Sequence, residues 1–236
     1  MDVSIRDACG QCLGKTGTLH VYRDLFGYPW GRIDRELRVR RHIENIRATS
    51  INLCVFFVGH EPGFNGTFTQ AQAIRAQHAV DMMRELYEQA DIGVREIFWR
   101  YIHEDDAAPY LSVNASEATD LTEAYSGPND GIDLFLVQTI TDAGGWSNSE
   151  GPCDKSEKGR TGAVVEMSLG PNDYLGIVVA HEVAHYLGLG HANAVTNLMG
   201  SDVDNNGIGE LDIISRDITA AQRAIMRASC WVRDPR

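Results

Sequence analysis

The residues best placed to do chemistry lie in one run near the end of the chain: His181-Glu182-Val183-Ala184-His185-Tyr186-Leu187-Gly188-Leu189-Gly190-His191. On an α-helix, positions four apart project from one face, one turn apart. His181 and His185 can therefore offer two imidazole nitrogens to a single ion at the ~2.0–2.1 Å that zinc takes. Glu182 follows the first histidine, so it points beside the ion rather than at it. That is where a base must stand to take a proton from water activated by the metal. A helix running on straight would carry His191 away. Glycine accepts φ > 0 and ends a helix sharply, so Gly188 is placed to turn the chain and return His191 as the third ligand. Three protein ligands leave a fourth position open, the catalytic arrangement rather than the closed structural one. A plain core helix with surface histidines leaves three histidines, a glutamate and a placed glycine unexplained.

Several elements must position that run. Ile51 to Val58 is a β-branched and aromatic stretch that reads as a buried strand. Thr67 to Gln89 has helical periodicity through Ala71, Ile74, Ala79, Met82, Met83 and Leu86. Strands are expected over Val94–Ile102, Ile132–Ile140 and Ala163–Ser168, with a Gly-, Ser- and charge-rich loop over 144–162. After Gly170-Pro171, a helix carrying the histidines is expected from Asp173 or Tyr174 to about Gly188. A last helix is expected over Asp217–Ser229, with Ala220, Ala221, Ala224, Ile225 and Ala228 on one side. This order predicts an α/β layout with a twisted, mixed sheet of about four to five strands.

The chain has 236 residues, suited to one domain or to one domain with two lobes around a cleft. Hydrophobic residues make up 43% and charged residues 23%, an ordinary globular composition. The net charge of −12 argues against nucleic acid or anionic membrane as the main partner, because both demand basic patches. No stretch approaches the ~20 apolar residues needed to span a bilayer, and residues 1–10 carry no apolar signal-type core. Residues 1–48 read as an N-terminal extension, with Arg32, Arg35, Arg38, Arg40, Arg41 and Arg47 among apolar residues. A solvated arm packed on the main domain is the plainer reading of them; an arm for an acidic partner, or a prosegment, is the sharper one. Residues 49–236 form the expected catalytic domain, divided near 190 into an upper and a lower lobe. Among the five cysteines, Cys54 lies in an apolar run and is expected to be buried, while Cys9, Cys12, Cys153 and Cys230 can pair in more than one way.

The extended pattern H-E-x-x-H-x-x-G-x-x-H is the signature of the metzincin zinc endopeptidases, and the chain resembles them at His181 through His191. Asn197-Leu198-Met199-Gly200 is similar to the methionine turn of that clan, which implies Met199 as an apolar floor beneath the ligands. Ile218-Thr219-Ala220-Ala221-Gln222 is similar to the start of the C-terminal helix in matrixin-like members. The resemblance implies a metzincin-like fold with an active-site helix, a backing helix and a C-terminal helix. It also implies one catalytic zinc, hydrolysis of protein or peptide substrates with Glu182 as base, an edge strand for an extended peptide, and an extracytoplasmic location. Ser201 stands where astacins and serralysins carry an extra tyrosine ligand, and Ala192 follows the third histidine without marking a subfamily. A non-cleaving zinc module that recognises peptides is the rival from another class; an intact Glu182 argues against it. The chain is expected to be a monomer.

One further motif invites a metal. Asp202-Val203-Asp204-Asn205-Asn206-Gly207 opens like a calcium loop, with oxygen ligands at alternate positions and a glycine for the turn. Its last position is Ile213 rather than glutamate, so Glu210 or Asp212 would have to complete a set with Asp202, Asp204 and Asn206. A solvated acidic turn is the competing reading. His60-Glu61 and His103-Glu104-Asp105-Asp106 lack helical spacing and read as exposed loops.

Overall fold

A computed structural model describes residues 49–60, 68–127, 129–141, 143–204, 206–207 and 209–234. The expected extension over 1–48, with Cys9 and Cys12, lies outside the described residues. In chain order the elements are β1 (Ser50–Val58), α1 (Gln70–Tyr87), β2 (Gly93–Ile102), α2 (Glu104–Ala107), β3 (Ser112–Val113), α3 (Ala115–Tyr125), β4 (Ile132–Val137), β5 (Thr139–Ile140), β6 (Gly145–Ser147), β7 (Ala163–Glu166), α4 (Asn172–Tyr186) and α5 (Ala220–Ala228).

Period-two alternation sorts the strand side chains into two cores. The main sheet has the order β2-β1-β4-β7-β6. Its first four strands are parallel, and β6 pairs antiparallel to β7 as an edge. Ile51, Leu53 and Val55 of β1 point to the face covered by α1 and α4, together with Ile132, Leu134, Leu136, Ala163 and Val165. Cys54, Phe56 and Val58 point the other way, with Phe135, Val137 and Val164, toward Ala118 and Leu121 of α3. Parallel strands covered on both faces read as nearly continuous apolar runs, as these do.

The histidine-bearing helix α4 is buried from Leu175 to Tyr186 without a break. A helix buried on all sides needs partners on all sides, and α1 is one of them. Tyr87 Oη of α1 donates to Ala180 O at 2.8 Å, and His78 meets Asp173 at 2.8 Å. Arg75 donates to Met167 O at 2.7 Å and also to the carbonyls of Leu169 and Gly170, holding the turn that leads into α4. Capping boxes start α1, α3 and α5: Thr69 with Gln72, Asn114 with Glu117, and Thr219 with Gln222.

Several expectations need correction. The third expected strand divides at Gln138 into β4 and the short β5, and β5 pairs with β3 in a separate two-stranded sheet. Helix α3 lies where no element is expected, and His103 caps the short helix α2 rather than lying in a plain loop. The last helix begins at Ala220, not Asp217, and its expected apolar face is the wrong one. Ala220, Ala221, Ala224, Ile225 and Ala228 are exposed, whereas Met226 is fully buried. Cys153 and Cys230 form a disulfide, and Cys54 is a buried free thiol.

Candidate metal centre

The turn that ends α4 builds half of the centre. Gly188 sits at φ +104°, beyond what a residue with a β-carbon adopts without strain. Gly188 N donates to His185 O at 2.8 Å and Leu189 N to Ala184 O at 3.0 Å. Those two bonds are the paired closure of a Schellman motif. The same turn carries Leu189 O to His185 Nδ1, at 2.6 Å, and sends the chain back toward the helix. A second turn supplies the other anchor. Asn197 Oδ1 accepts from Met199 N at 2.9 Å, Gly200 N donates to Asn197 O at 2.9 Å, and the Leu198 carbonyl between them meets His181 Nδ1 at 2.8 Å.

With Nδ1 donating to a carbonyl on each of His181 and His185, the lone pairs sit on Nε2. Those Nε2 atoms converge: His185 Nε2 lies 3.0 Å from His181 Nε2 and 3.0 Å from His191 Nε2. Lone pairs facing at that distance repel unless a cation lies among them. Tetrahedral zinc with nitrogen at ~2.0–2.1 Å sets its ligands ~3.3 Å apart, close to the observed spacing. Burial, and then the neighbouring imidazole His185, pushes His181 down to about 3. Burial likewise pushes His185 down to about 4. Both rings are thus neutral near pH 7, the form that ligates.

Glu182 is buried beside the triad, with Oε1 4.0 Å from His181 Nε2. It packs under β6 so closely that a β-carbon on Gly145 would fall 2.5 Å from Glu182 Cγ. Burial alone raises its carboxyl to about 8. A dication in the triad would act in the opposite sense and favour the carboxylate. Behind the helix, Glu150 N donates to His185 O and Gly151 N to Tyr186 O, each at 2.9 Å. Pro152 O accepts from Trp231 Nε1 at 2.8 Å, and the disulfide from Cys153 to Cys230 ties this loop to the C-terminal segment.

The structure therefore brings together His181, His185, His191 and Glu182, with Gly188 making the turn and Met199 fully buried next to the Leu198 anchor. It does not assemble the calcium set. Among the described residues, the three histidines are the one cluster of three or more metal-ligating side chains, so Asp202, Asp204 and Asp212 do not converge. Asp202 turns toward His191 and the amide of Asn206, and Asp204 and Asp212 are exposed. Calcium is not supported. The acids at alternate positions reflect a hairpin whose outer carboxylates face solvent. Sequence reasoning missed the Leu189 and Leu198 carbonyls, the Glu182–Gly145 packing and the role of loop 150–152.

No protein-family model matches the chain, and no curated protein matches it by sequence. Solved structures do match. The chain is similar to archaemetzincin from Methanopyrus kandleri, with TM-score 0.50 and 14% identity over 76% of this chain and 95% of that one. It is also similar to metalloproteinase-II from Bacteroides fragilis, with TM-score 0.50 and 13% identity over 78% of this chain and 53% of that one. The chain thus spans about half the length of the second protein. Among the described residues, no helix is long and apolar enough to cross a membrane. At these identities the likeness speaks for architecture alone: a mixed α/β domain like those of the two proteins, which here carries a three-histidine cluster.

Proposed function

We propose that the protein is a zinc-dependent endopeptidase in which His181, His185 and His191 hold the metal and Glu182 is the general base. The observation that carries this is the convergence of three imidazole Nε2 atoms with a buried carboxylate beside them. Zinc held by His181, His185 and His191 would supply a Lewis acid for the scissile carbonyl and for activation of water. Glu182 accepts the proton of the attacking water and returns it to the departing amine. The β6 edge, Gly145–Ser147, has a free side among the described strands and receives an extended peptide by backbone pairing. Met199 forms the apolar floor, held by the Asn197 turn. The methionine turn and the metzincin resemblance of the motif support the same reading; secretion is proposed on that resemblance alone.

The test is a mixed peptide library incubated with the full chain and read by mass spectrometry, with a chelator control and a Glu182→Ala variant. Cleavage by the zinc-loaded chain, lost with chelator and lost by Glu182→Ala while zinc stays bound, is the expected result. Full activity in Glu182→Ala overturns the assignment of the base. Zinc bound with nothing cut favours a peptide-recognition module instead.

A further inference from the structure

The Nδ1 atoms of His181 and His185 each meet a backbone carbonyl, but Nδ1 of His191 meets a carboxylate. Asp202 Oδ2 lies 3.8 Å from His191 Nδ1, and both side chains are mostly buried. We propose that Asp202 is a positioning residue for the third ligand, holding the His191 ring so that Nε2 faces the metal. The proposal rests on the zinc reading of the triad and extends it to a residue whose acidic neighbourhood suggested calcium.

Three features make Asp202 fit this role. Its backbone is tied directly behind the ligand, because Asp202 N donates to Ala192 O at 2.9 Å. Its other carboxylate oxygen is already occupied: Oδ1 accepts from Asn206 N at 2.9 Å, which orients the group and leaves Oδ2 for the histidine. The far end of the same hairpin closes on the ring from the opposite side. Ser201 and Glu210 pair in an antiparallel bridge, and a β-carbon on Gly209 would fall 2.5 Å from His191 Cδ2 and 2.8 Å from its Nε2. The imidazole is thus held between Asp202 at one edge and the Gly209 backbone at the other. The 3.8 Å separation is ion-pair range and longer than a hydrogen bond. An approach of about 0.8 Å brings it to the ~3.0 Å of an N–H···O bond. A metal held at Nε2 would polarise the ring and strengthen Nδ1–H as a donor toward the carboxylate, the general behaviour of a histidine ligand backed by an acid.

Asp202→Asn separates positioning from folding. The asparagine Oδ1 still accepts from Asn206 N, so the hairpin keeps its internal bond, while the group facing His191 becomes a neutral amide donor. The experiment measures zinc affinity of the full chain by chelator competition, with the absorption spectrum of the cobalt(II)-loaded chain as a second readout. Asp204→Asn, an exposed acid of the same hairpin, is the control. Asp202→Asn is expected to weaken zinc binding about 10–100-fold and to alter the cobalt spectrum, with Asp204→Asn matching the unaltered chain. Equal affinity in Asp202→Asn and the unaltered chain overturns the proposal, as does an equal loss in both variants, which would report the net charge of the hairpin. A rise in melting temperature with calcium that Asp202→Asn abolishes also overturns it, by returning Asp202 to a calcium set. An unaltered chain that binds no zinc at all is a different failure, that of the triad reading itself.

Discussion

The side-chain amides of Asn197 and Gln222 face each other in a reciprocal pair: Asn197 Nδ2 donates to Gln222 Oε1 at 2.9 Å, and Gln222 Nε2 donates to Asn197 Oδ1 at 2.8 Å. Gln222 Oε1 is also the acceptor for Thr219 N at the start of α5. Asn197 Oδ1 in turn receives Met199 N, and the intervening Leu198 carbonyl anchors His181. One amide pair therefore links the cap of the last helix to the His181 ring. Gln222→Ala leaves the buried Asn197 amide short of its partner, a loss of about 1–3 kcal/mol. Urea unfolding of the zinc-loaded chain is expected to show it, with weaker zinc retention alongside. An unchanged unfolding midpoint would separate the cap from the site.

Gly188→Ala is expected to displace two of the proposed ligands, His185 and His191, at once. The residue must hold φ near +104°, which costs an alanine about 1–3 kcal/mol. If the turn relaxes instead, Leu189 O leaves His185 and the chain no longer delivers His191. Either way zinc affinity falls, and calorimetric titration with zinc measures it. An affinity equal to that of the unaltered chain would mean that the turn does not set the ligands.

The Cys153–Cys230 disulfide closes a loop spanning 77 residues. In the chain-entropy description such a link stabilises by about 4 kcal/mol. Cys230→Ser is expected to lower the unfolding free energy by an amount of that order. It also frees the loop whose Glu150 and Gly151 amides cap the end of α4, so faster amide exchange should appear first at 150 and 151. Undisturbed exchange there would place the loop's stability in its other contacts, including the Lys155–Asp133 ion pair.

Stability of the metal-free chain should have a maximum in pH. His181 and His185 titrate near 6.5 when unfolded and are pushed down to about 3 and about 4 by burial. As pH falls below ~6.5 the unfolded chain takes up protons that the folded chain refuses, so stability is lost toward acid. Glu182 runs the other way: its folded value of about 8 exceeds its ordinary 4.5, so the folded chain keeps a proton that the unfolded one releases. Its contribution is lost as pH rises from about 4.5 to about 8. Between those values two histidines outweigh one glutamate up to ~6.5; above it the glutamate acts alone. Denaturant unfolding in chelator should peak near pH 6.5, and Glu182→Gln should abolish the decline on the alkaline side. A decline that persists in Glu182→Gln would assign it to another group.

The triad was legible because helical spacing and a helix-ending glycine are written in residue types. The central strands were legible for a similar reason: β1 and β4, buried on both faces, are apolar apart from Ser50, Asn52 and the ion-paired Asp133. What the sequence hid is mostly backbone. The carbonyls of Leu189 and Leu198 carry no signature, since any residue supplies one. Helix α5 misled because Ala220, Ala221, Ala224, Ile225 and Ala228 form as good a stripe as the face that is used; Met226 and the Asn197 contact of Gln222 decide the matter from outside the helix. Helix α3 is short, and its signal was confined to the Asn114–Glu117 cap with Ala118 and Leu121 behind it. The acids from Asp202 onward matched a calcium opening by type, while Asp202 itself was directed at His191 by a hairpin that type does not encode.

The packing of Glu182 beneath Gly145 also limits how this protein can diverge. A rim strand three residues long offers few positions at which substrate preference can be retuned, and position 145 is closed to any side chain while the glutamate stays. Variation at that edge is confined to Trp146 and Ser147. On the proposed endopeptidase reading, libraries selected for altered cleavage should therefore accumulate their changes elsewhere and leave Gly145 untouched.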